Sequence, residues 1–232
     1  MTNSERIQAN NADLQECITL AETLPDSDAF WDIVQKKGTR TRYQYAFMDW
    51  DCEYIRPKYK VAPTKDCRMS QIFYSNPSLK IVEKEYFDFS KIPEPAYASV
   101  GEYYTFQFCS ALEVIEDIGL LGKYYSGTFH GCSNLHTIER LPFREDTAVS
   151  ANPFLGCTSL ANVTIDGVIA TTVDFKDCPF TKASFMSIFE HLSDTVTGKT
   201  ITFKKTAKES AFTSSEWSTL VGTKSNWTFS LV

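Results

Sequence analysis

The chain has 232 residues, a formal net charge of −6, 43% hydrophobic residues and 22% charged residues. This is the composition of a folded globular protein, and it excludes a disordered, collagen-like or rod-shaped coiled-coil chain. The acidic balance and the lack of a dense lysine–arginine cluster argue against a nucleic-acid partner. No apolar run approaches the roughly 20 residues of a membrane span, and the polar N-terminus leads into no secretory signal, so we expect neither membrane insertion nor export.

The first predicted element is an N-terminal helix. The capping box Thr2-x-x-Glu5 begins it, and the helix runs to about residue 24. The seam positions of a heptad pattern along it hold the candidate oligomerisation residues Ile7, Asn10, Leu14, Ala21 and Leu24. A polar residue in such a seam can fix the register between chains, although packing of the helix on its own chain explains the pattern equally well. A second helix ends at Gly38, so residues 1–38 form a predicted helical segment for attachment or oligomerisation.

A frame of Phe-x-x-Cys-x-x-Leu-x-x-Ile/Val recurs through the middle of the chain. Full copies begin at Phe106, Phe129 and Phe154, a partial copy begins at Phe175, and an earlier copy from Phe73 has Asn in place of Cys. The frame cysteines Cys109, Cys132, Cys157 and Cys178 follow one another at intervals of 23, 25 and 21 residues. These intervals fall within the range of about 20–29 residues that is typical of leucine-rich repeats.

The frame predicts one continuous core, because stacking of the copies would place like residues over like. The predicted core residues are Phe106, Cys109, Leu112, Phe129, Cys132, Leu135, Phe154, Cys157 and Leu160. The chain has 7 cysteines, an odd number, and none of them forms a C-x-x-C pair, so we expect reduced core thiols and neither a metal nor a cofactor site. The three histidines belong to no recognisable nucleophile–base set, so we expect no catalytic residues and no enzyme activity.

The pattern changes after Cys178. Apolar residues at helical spacing between Phe185 and Leu192 predict a helix, and residues 200–203 predict a strand. A second capping box, Thr213-x-x-Glu216, predicts a helix that stops at Gly222, and residues 226–229 predict a final strand. The predicted fold class is therefore α+β. A short leucine-rich-repeat-like solenoid over residues 39–181 is flanked by the N-terminal helices and by a C-terminal α/β cap over residues 182–232.

Two tyrosine pairs precede successive copies of the frame, at residues 103–104 and 124–125. Alternation along an extended segment would point one ring of each pair outward, and stacking would align Tyr104 and Tyr125 as a candidate surface for binding. The alternative is that these rings pack beneath an insertion at residues 91–104.

Several stretches resemble a known group of proteins. The repeat frame resembles the BspA-type leucine-rich repeats of bacterial surface proteins and phages. Residues 4–25 resemble the N-terminus of structural proteins encoded by phages and prophages of gut Firmicutes. The segments Phe30-Trp31-Asp32 and Ile55-Arg56-Pro57-Lys58-Tyr59 resemble the part that follows in such proteins, and residues 184–228 resemble their closing unit.

The resemblance implies a non-enzymatic virion structural protein of the tail tip, fibre or baseplate, assembled in the cytoplasm of the host bacterium. The implied partners are further copies of this chain, with a trimer among the alternatives, and other virion proteins. A glycan or protein of the host surface is a further candidate partner. Alternative functions are a head fibre or decoration protein, a bacterial cell-surface adhesin with the same repeats, and a cytoplasmic assembly factor.

Deletion of residues 1–25 tests the seam. If Ile7, Leu14 and Leu24 pack between chains, the truncated protein should remain folded but sediment as a smaller species in analytical ultracentrifugation. An unchanged number of chains per particle after the deletion would mean that the helix packs within its own chain or docks on another protein.

Overall fold

A computed structural model describes residue 71 and residues 73–84, 104–117 and 124–232 of the protein. Within these ranges the fold is mixed α/β, with parallel sheets and helices at the C-terminal end. The predicted helical segment 1–38, including the candidate oligomerisation residues Ile7, Asn10, Leu14, Ala21 and Leu24, lies outside the described residues.

The last part of each frame copy forms a strand of one parallel sheet. Its strands are β1 (Ile81–Val82), β2 (Val114–Ile115), β4 (Thr137–Phe143) and β6 (Asn162–Gly167), in the order β1-β2-β4-β6. The register places Ile115 opposite Ile138, and Ile138 opposite Val163. Residues at the same position of the frame are therefore neighbours across the sheet, and their side chains share its inner face.

The segments that lead into the frame pair on another side of the stack. β3 (Tyr124–Ser126) pairs with β5 (Ala148–Ser150) in parallel. A three-stranded parallel sheet has the order β7-β8-β9, formed by β7 (Val173–Phe175), β8 (Lys199–Phe203) and β9 (Trp227–Leu231). Because Phe175 of the last frame copy is opposite Phe203, the C-terminal unit continues the stack.

A column of phenylalanine rings lies between the sheets. Successive ring centroids are 5.2 Å apart for Phe73 and Phe106, 5.9 Å for Phe106 and Phe129, and 5.4 Å for Phe129 and Phe154. This spacing is close to the distance of about 4.8 Å between neighbouring strands, so the rings follow the backbone register. All nine predicted core residues are at most 2% exposed and belong to one hydrophobic cluster.

Three helices lie in the C-terminal part of the described chain: α1 (Lys182–Glu190), α2 (Lys205–Ala211) and α3 (Ser214–Gly222). The sequence predicted α1 and α3, and both hydrogen bonds of the capping box at Thr213 and Glu216 are present. It missed α2, a short helix with little apolar periodicity. No helix in the described ranges has both the length and the apolar character needed to cross a membrane.

Helix α1 closes the open edge of β6 with two serine side chains. The Ser184 hydroxyl accepts a hydrogen bond from the Val163 amide at 2.9 Å and donates one to the Ala161 carbonyl at 2.8 Å. One helical turn further on, the Ser187 hydroxyl accepts from the Ile165 amide at 2.8 Å. We call these two side chains, Ser184 and Ser187, the serine seal. They bond backbone groups of β6 and of the residue before it, which an unprotected edge strand would leave open to pairing.

Ser184 stands nine residues after Phe175, which is the frame position that Ile115, Ile138 and Val163 occupy in strands. The last copy of the frame therefore keeps its turn but replaces its strand by a helix. A small hydroxyl residue at this position can bond the neighbouring strand from a helix, which a branched apolar side chain cannot do.

Ser184→Ala should lower the free energy of unfolding by about 1–3 kcal/mol, since it leaves the buried Val163 amide without a partner. The measurement is urea unfolding followed by circular dichroism. Ser210→Ala is the matched control: its exposed hydroxyl donates to the Thr206 carbonyl within α2, and we expect a change within about 0.5 kcal/mol. An equal change in the free energy of unfolding for both substitutions would contradict a stabilising role of the Ser184 hydroxyl.

Candidate functional site

The Phe-x-x-Cys part of each frame copy forms a tight turn that faces away from the sheet strands. In the copy from Phe106, the Cys109 amide donates to the Phe106 carbonyl at 3.0 Å. The residue before the frame Cys or Asn has a positive φ in four copies, at Ser75 (56°), Phe108 (63°), Gly131 (80°) and Gly156 (77°). A positive φ at the third residue is the mark of a type II turn, and it explains the two glycines at this position.

Backbone hydrogen bonds stack these turns on one another. The amides of Ser75, Phe108 and Gly131 donate to the carbonyls of Gln107, His130 and Leu155, at 2.7, 2.7 and 2.8 Å. The stack ends where the Gly156 amide donates to the Asp177 carboxylate at 2.8 Å instead of to a carbonyl. The turns of four copies therefore form one continuous, ordered face.

The frame cysteines join successive turns from the inside. The thiols of Cys109, Cys132 and Cys157 donate to the carbonyls of Phe73, Phe106 and Phe129, at 2.9, 3.0 and 3.1 Å. In the earliest copy, the Asn76 side chain instead accepts from the amides of Ser78 and Leu79 within its own turn. The small residue at this position thus serves as a polar tie for the turning backbone.

Burial makes the four described thiols poor nucleophiles and poor metal ligands. It raises the pKa of Cys109 to about 12, and it raises the pKa of Cys132, Cys157 and Cys178 well above the usual value for a thiol. The thiolate is the reactive form, so these groups carry almost no reactive species near neutral pH. All four are free and buried in the structure.

Phe108 is the unusual residue of the outer face. It occupies the position held by glycine in the next two copies, and its left-handed backbone is rare for a bulky side chain. The ring is nevertheless 42% exposed, so hydrophobic burial does not compensate fully for this strain. It lies over Gly131, where a Cβ atom would come within 2.6 Å of the ring. Glycine in one copy therefore makes room for the aromatic ring of the copy before it.

Polar and aromatic groups surround the Phe108 ring. Its centroid lies 5.2 Å from the His130 ring and 5.9 Å from the Tyr74 ring. The Gln107 amide nitrogen lies 3.2 Å from Nδ1 of His130.

The outer face carries no charged residue across four copies. We define the neutral turn face as the outward side chains of residues 74–78, 107–111, 130–134 and 155–159, which include no Asp, Glu, Lys or Arg. Charges begin again at Lys176 and Asp177 in the following turn. The strand side differs, because Arg140 there bridges Asp117 and Asp166 across three strands.

The structure corrects the predicted tyrosine surface. Tyr125 is fully buried, and its hydroxyl donates to the Pro142 carbonyl at 2.6 Å, so its expected outward orientation is wrong. Counted from the frame phenylalanines, the counterpart of Tyr104 is Gly127 and not Tyr125. Both residues have left-handed backbones, and the Tyr104 ring covers Gly127. No aligned stripe of Tyr104 and Tyr125 therefore exists.

Other polar groups in the described part of the chain do not converge on a reactive centre. No cluster of three or more His, Cys, Asp or Glu side chains that could hold a metal ion occurs among the described residues. His136 contacts the Thr137 hydroxyl, while His191 bonds the Ser187 carbonyl. An open groove of about 390 Å³ lies between α1 and α3, with Met186, Phe212 and Leu220 among its lining residues.

The chain was also compared with known proteins. It matches no protein-family model, no curated protein sequence and no solved structure. The interpretation of the neutral turn face therefore rests on its own residues.

Sequence reasoning missed Phe108, and a signal was present. The frame does not specify the residue just before its cysteine. The two following copies have glycine there, at Gly131 and Gly156, so an aromatic residue at this position of the copy from Phe106 is unusual. Comparison of the open positions between copies, rather than of the fixed ones alone, would have singled it out.

Iodoacetamide labelling tests the thiol environment. Cys109, Cys132, Cys157 and Cys178 should stay unlabelled in the folded protein from pH 7 to 9, because their raised pKa values keep them protonated over that range. All four should label in guanidinium chloride. Asn134→Cys, which places a thiol at an exposed position of the same face, is the positive control. Labelling is read residue by residue by mass spectrometry, and rapid native labelling of Cys132 would contradict the described packing.

Proposed function

We propose that this chain is a non-enzymatic structural protein of a phage virion, in the tail tip, fibre or baseplate, and that it contributes to assembly and to host-surface attachment. In this proposal the repeat copies form a short leucine-rich-repeat-like solenoid. Residues 1–38 attach it to further copies or to neighbouring virion proteins, and residues 182–232 seal its far end. The observation that carries the proposal is the neutral turn face, an ordered outer surface whose side chains include no Asp, Glu, Lys or Arg.

The periodic hydrogen bonds support a solenoid. Three successive frame copies bond the next copy backbone to backbone through the same turn position, and the phenylalanine column runs from Phe73 to Phe175 with ring centroids 4.7–5.9 Å apart. Such contacts between adjacent copies are typical of the quasi-one-dimensional construction of repeat proteins. The distinct C-terminal unit has the role that a terminal cap has in such proteins.

A virion role is supported by the resemblance of residues 4–25 and 184–228 to phage structural proteins. The repeat frame alone also suits bacterial surface proteins, but the combination with these two flanking segments favours a particle protein. The rigid stack suits this role, because a surface fixed by backbone hydrogen bonds loses little conformational entropy when it binds a partner.

A binding role is supported by the neutral turn face and by the chemistry behind it. The frame thiols are buried and protonated, so they anchor the turns and do not take part in covalent chemistry. The outward side chains include hydroxyls, amides, the His130 imidazole and the exposed Phe108 ring, which suit reversible recognition.

The test is the location of the protein in purified particles of the phage or prophage that encodes it. Mass spectrometry of gradient-purified virions should find the chain at a fixed copy number. Immunogold labelling should place it at the end of the tail. Labelling on the capsid would instead support the head-fibre alternative, and absence from particles would overturn the virion role.

A further inference from the structure

We propose that the neutral turn face binds an uncharged glycan, with the Phe108 ring as the platform on which a sugar ring stacks. This inference rests on the proposed function in one respect, that the neutral turn face is a binding surface. It adds the chemical class of the ligand and the residues that recognise it.

The first argument is the position of the Phe108 ring. The backbone of Phe108 is in a conformation that glycine adopts in the two copies that follow, and the ring is 42% exposed. A bulky residue in this conformation typically costs about 1–3 kcal/mol and persists where the surroundings require it. The ring contacts Tyr74, His130 and Gly131, yet Phe108 stays exposed, so one face of an aromatic side chain is open to a ligand. Its electron-rich face can receive the C–H groups on one side of a sugar ring.

The second argument is the set of hydrogen-bonding groups beside the ring. The Gln107 side-chain amide pairs with Nδ1 of His130, and the other ring nitrogen, Nε2, makes no hydrogen bond with the described residues, so it is available to a ligand hydroxyl. Ser110 and Asn134, both exposed, lie on the turns of the same two copies. Hydroxyl, amide and imidazole groups both donate to and accept from sugar hydroxyls.

The third argument is charge. Charged residues make up 22% of the chain, yet none lies on the neutral turn face. Phosphorylated, sulfated or uronic-acid polymers are typically recognised by cations, and the described turns place no Lys or Arg side chain on this face. A folded protein partner commonly requires a larger apolar patch or charge pairs around its edge. An uncharged polymer with many hydroxyl groups matches both the polarity and the charge of this surface.

The fourth argument is the regular spacing of the copies. Neighbouring turns are joined by hydrogen bonds of 2.7–2.8 Å between backbone atoms, so the polar side chains form a linear series on a rigid support. A polysaccharide is also a linear series of similar units, and several weak contacts along one chain can act together.

The experiment uses the full-length protein on an array of uncharged oligosaccharides built from hexoses, N-acetylhexosamines and 6-deoxyhexoses. Sulfated and uronic-acid glycans form the comparison set. The strongest uncharged ligand is then titrated by calorimetry. The variants are Phe108→Gly, which suits the left-handed backbone and preserves the turn, and Phe108→Tyr, which preserves the ring. Met186→Ala is the control, since Met186 is another exposed hydrophobic side chain but lies on α1.

We expect binding to uncharged glycans, a Kd about tenfold weaker for Phe108→Gly, and a Kd within about threefold of wild type for Phe108→Tyr. Met186→Ala should bind as wild type does, and urea unfolding should show that all variants are folded. Binding only to acidic glycans, binding that survives Phe108→Gly unchanged, or no glycan binding at all overturns the proposal. Failure here with the protein present in virions leaves the proposed function standing, whereas glycan binding with the protein absent from virions overturns only the virion role.

Discussion

The structure depends on one constraint, which is that successive frame copies stack at the spacing of neighbouring parallel strands. The phenylalanine column satisfies this constraint, since its rings repeat at 4.7–5.9 Å while the backbone beside them repeats at about 4.8 Å. The same spacing allows the thiols of Cys109, Cys132 and Cys157 to reach the phenylalanine carbonyl of the copy before each of them. A change in copy length is tolerated only outside the frame, where loops can absorb it.

The inward and outward side chains of the turns have different roles. Inside, the Phe, Cys and Leu side chains form the core. Outside, the positions between Phe and Cys do not enter the core and vary from copy to copy, within the limits set by the positive φ and by the Phe108 ring over Gly131. Gly131 and Gly156 adopt the positive φ without steric strain. Phe108 adopts it with strain, and its ring is exposed on the outer side of the turn. In the proposed solenoid, recognition chemistry can therefore change without any effect on the core.

The core and the C-terminal elements could be predicted because both rest on local periodicity. The positions of Phe129, Cys132 and Leu135 follow from the frame, and α3 follows from its capping box. The predicted tyrosine surface is wrong because the tyrosine pairs are 21 residues apart, whereas Phe106 and Phe129 of the frame are 23 residues apart. Tyr125 therefore does not hold the position that Tyr104 holds in the copy before. The role of Ser184 could not be predicted from the sequence, because its hydrogen bonds to β6 form only when a helix, and not a strand, follows the last turn.

The serine seal has a consequence for synthesis of the chain. Ser184 bonds Val163 across 21 residues, and the helix that carries it is made after all of the described frame copies. During translation, each newly folded copy exposes an unpaired strand edge, and a strand from another nascent chain could form backbone hydrogen bonds with it. Helix α1 ends this exposure, because its hydroxyls satisfy the β6 amides without presenting a backbone ladder of their own. The β6 edge therefore stays open to pairing with another chain until α1 has been made and has docked on it.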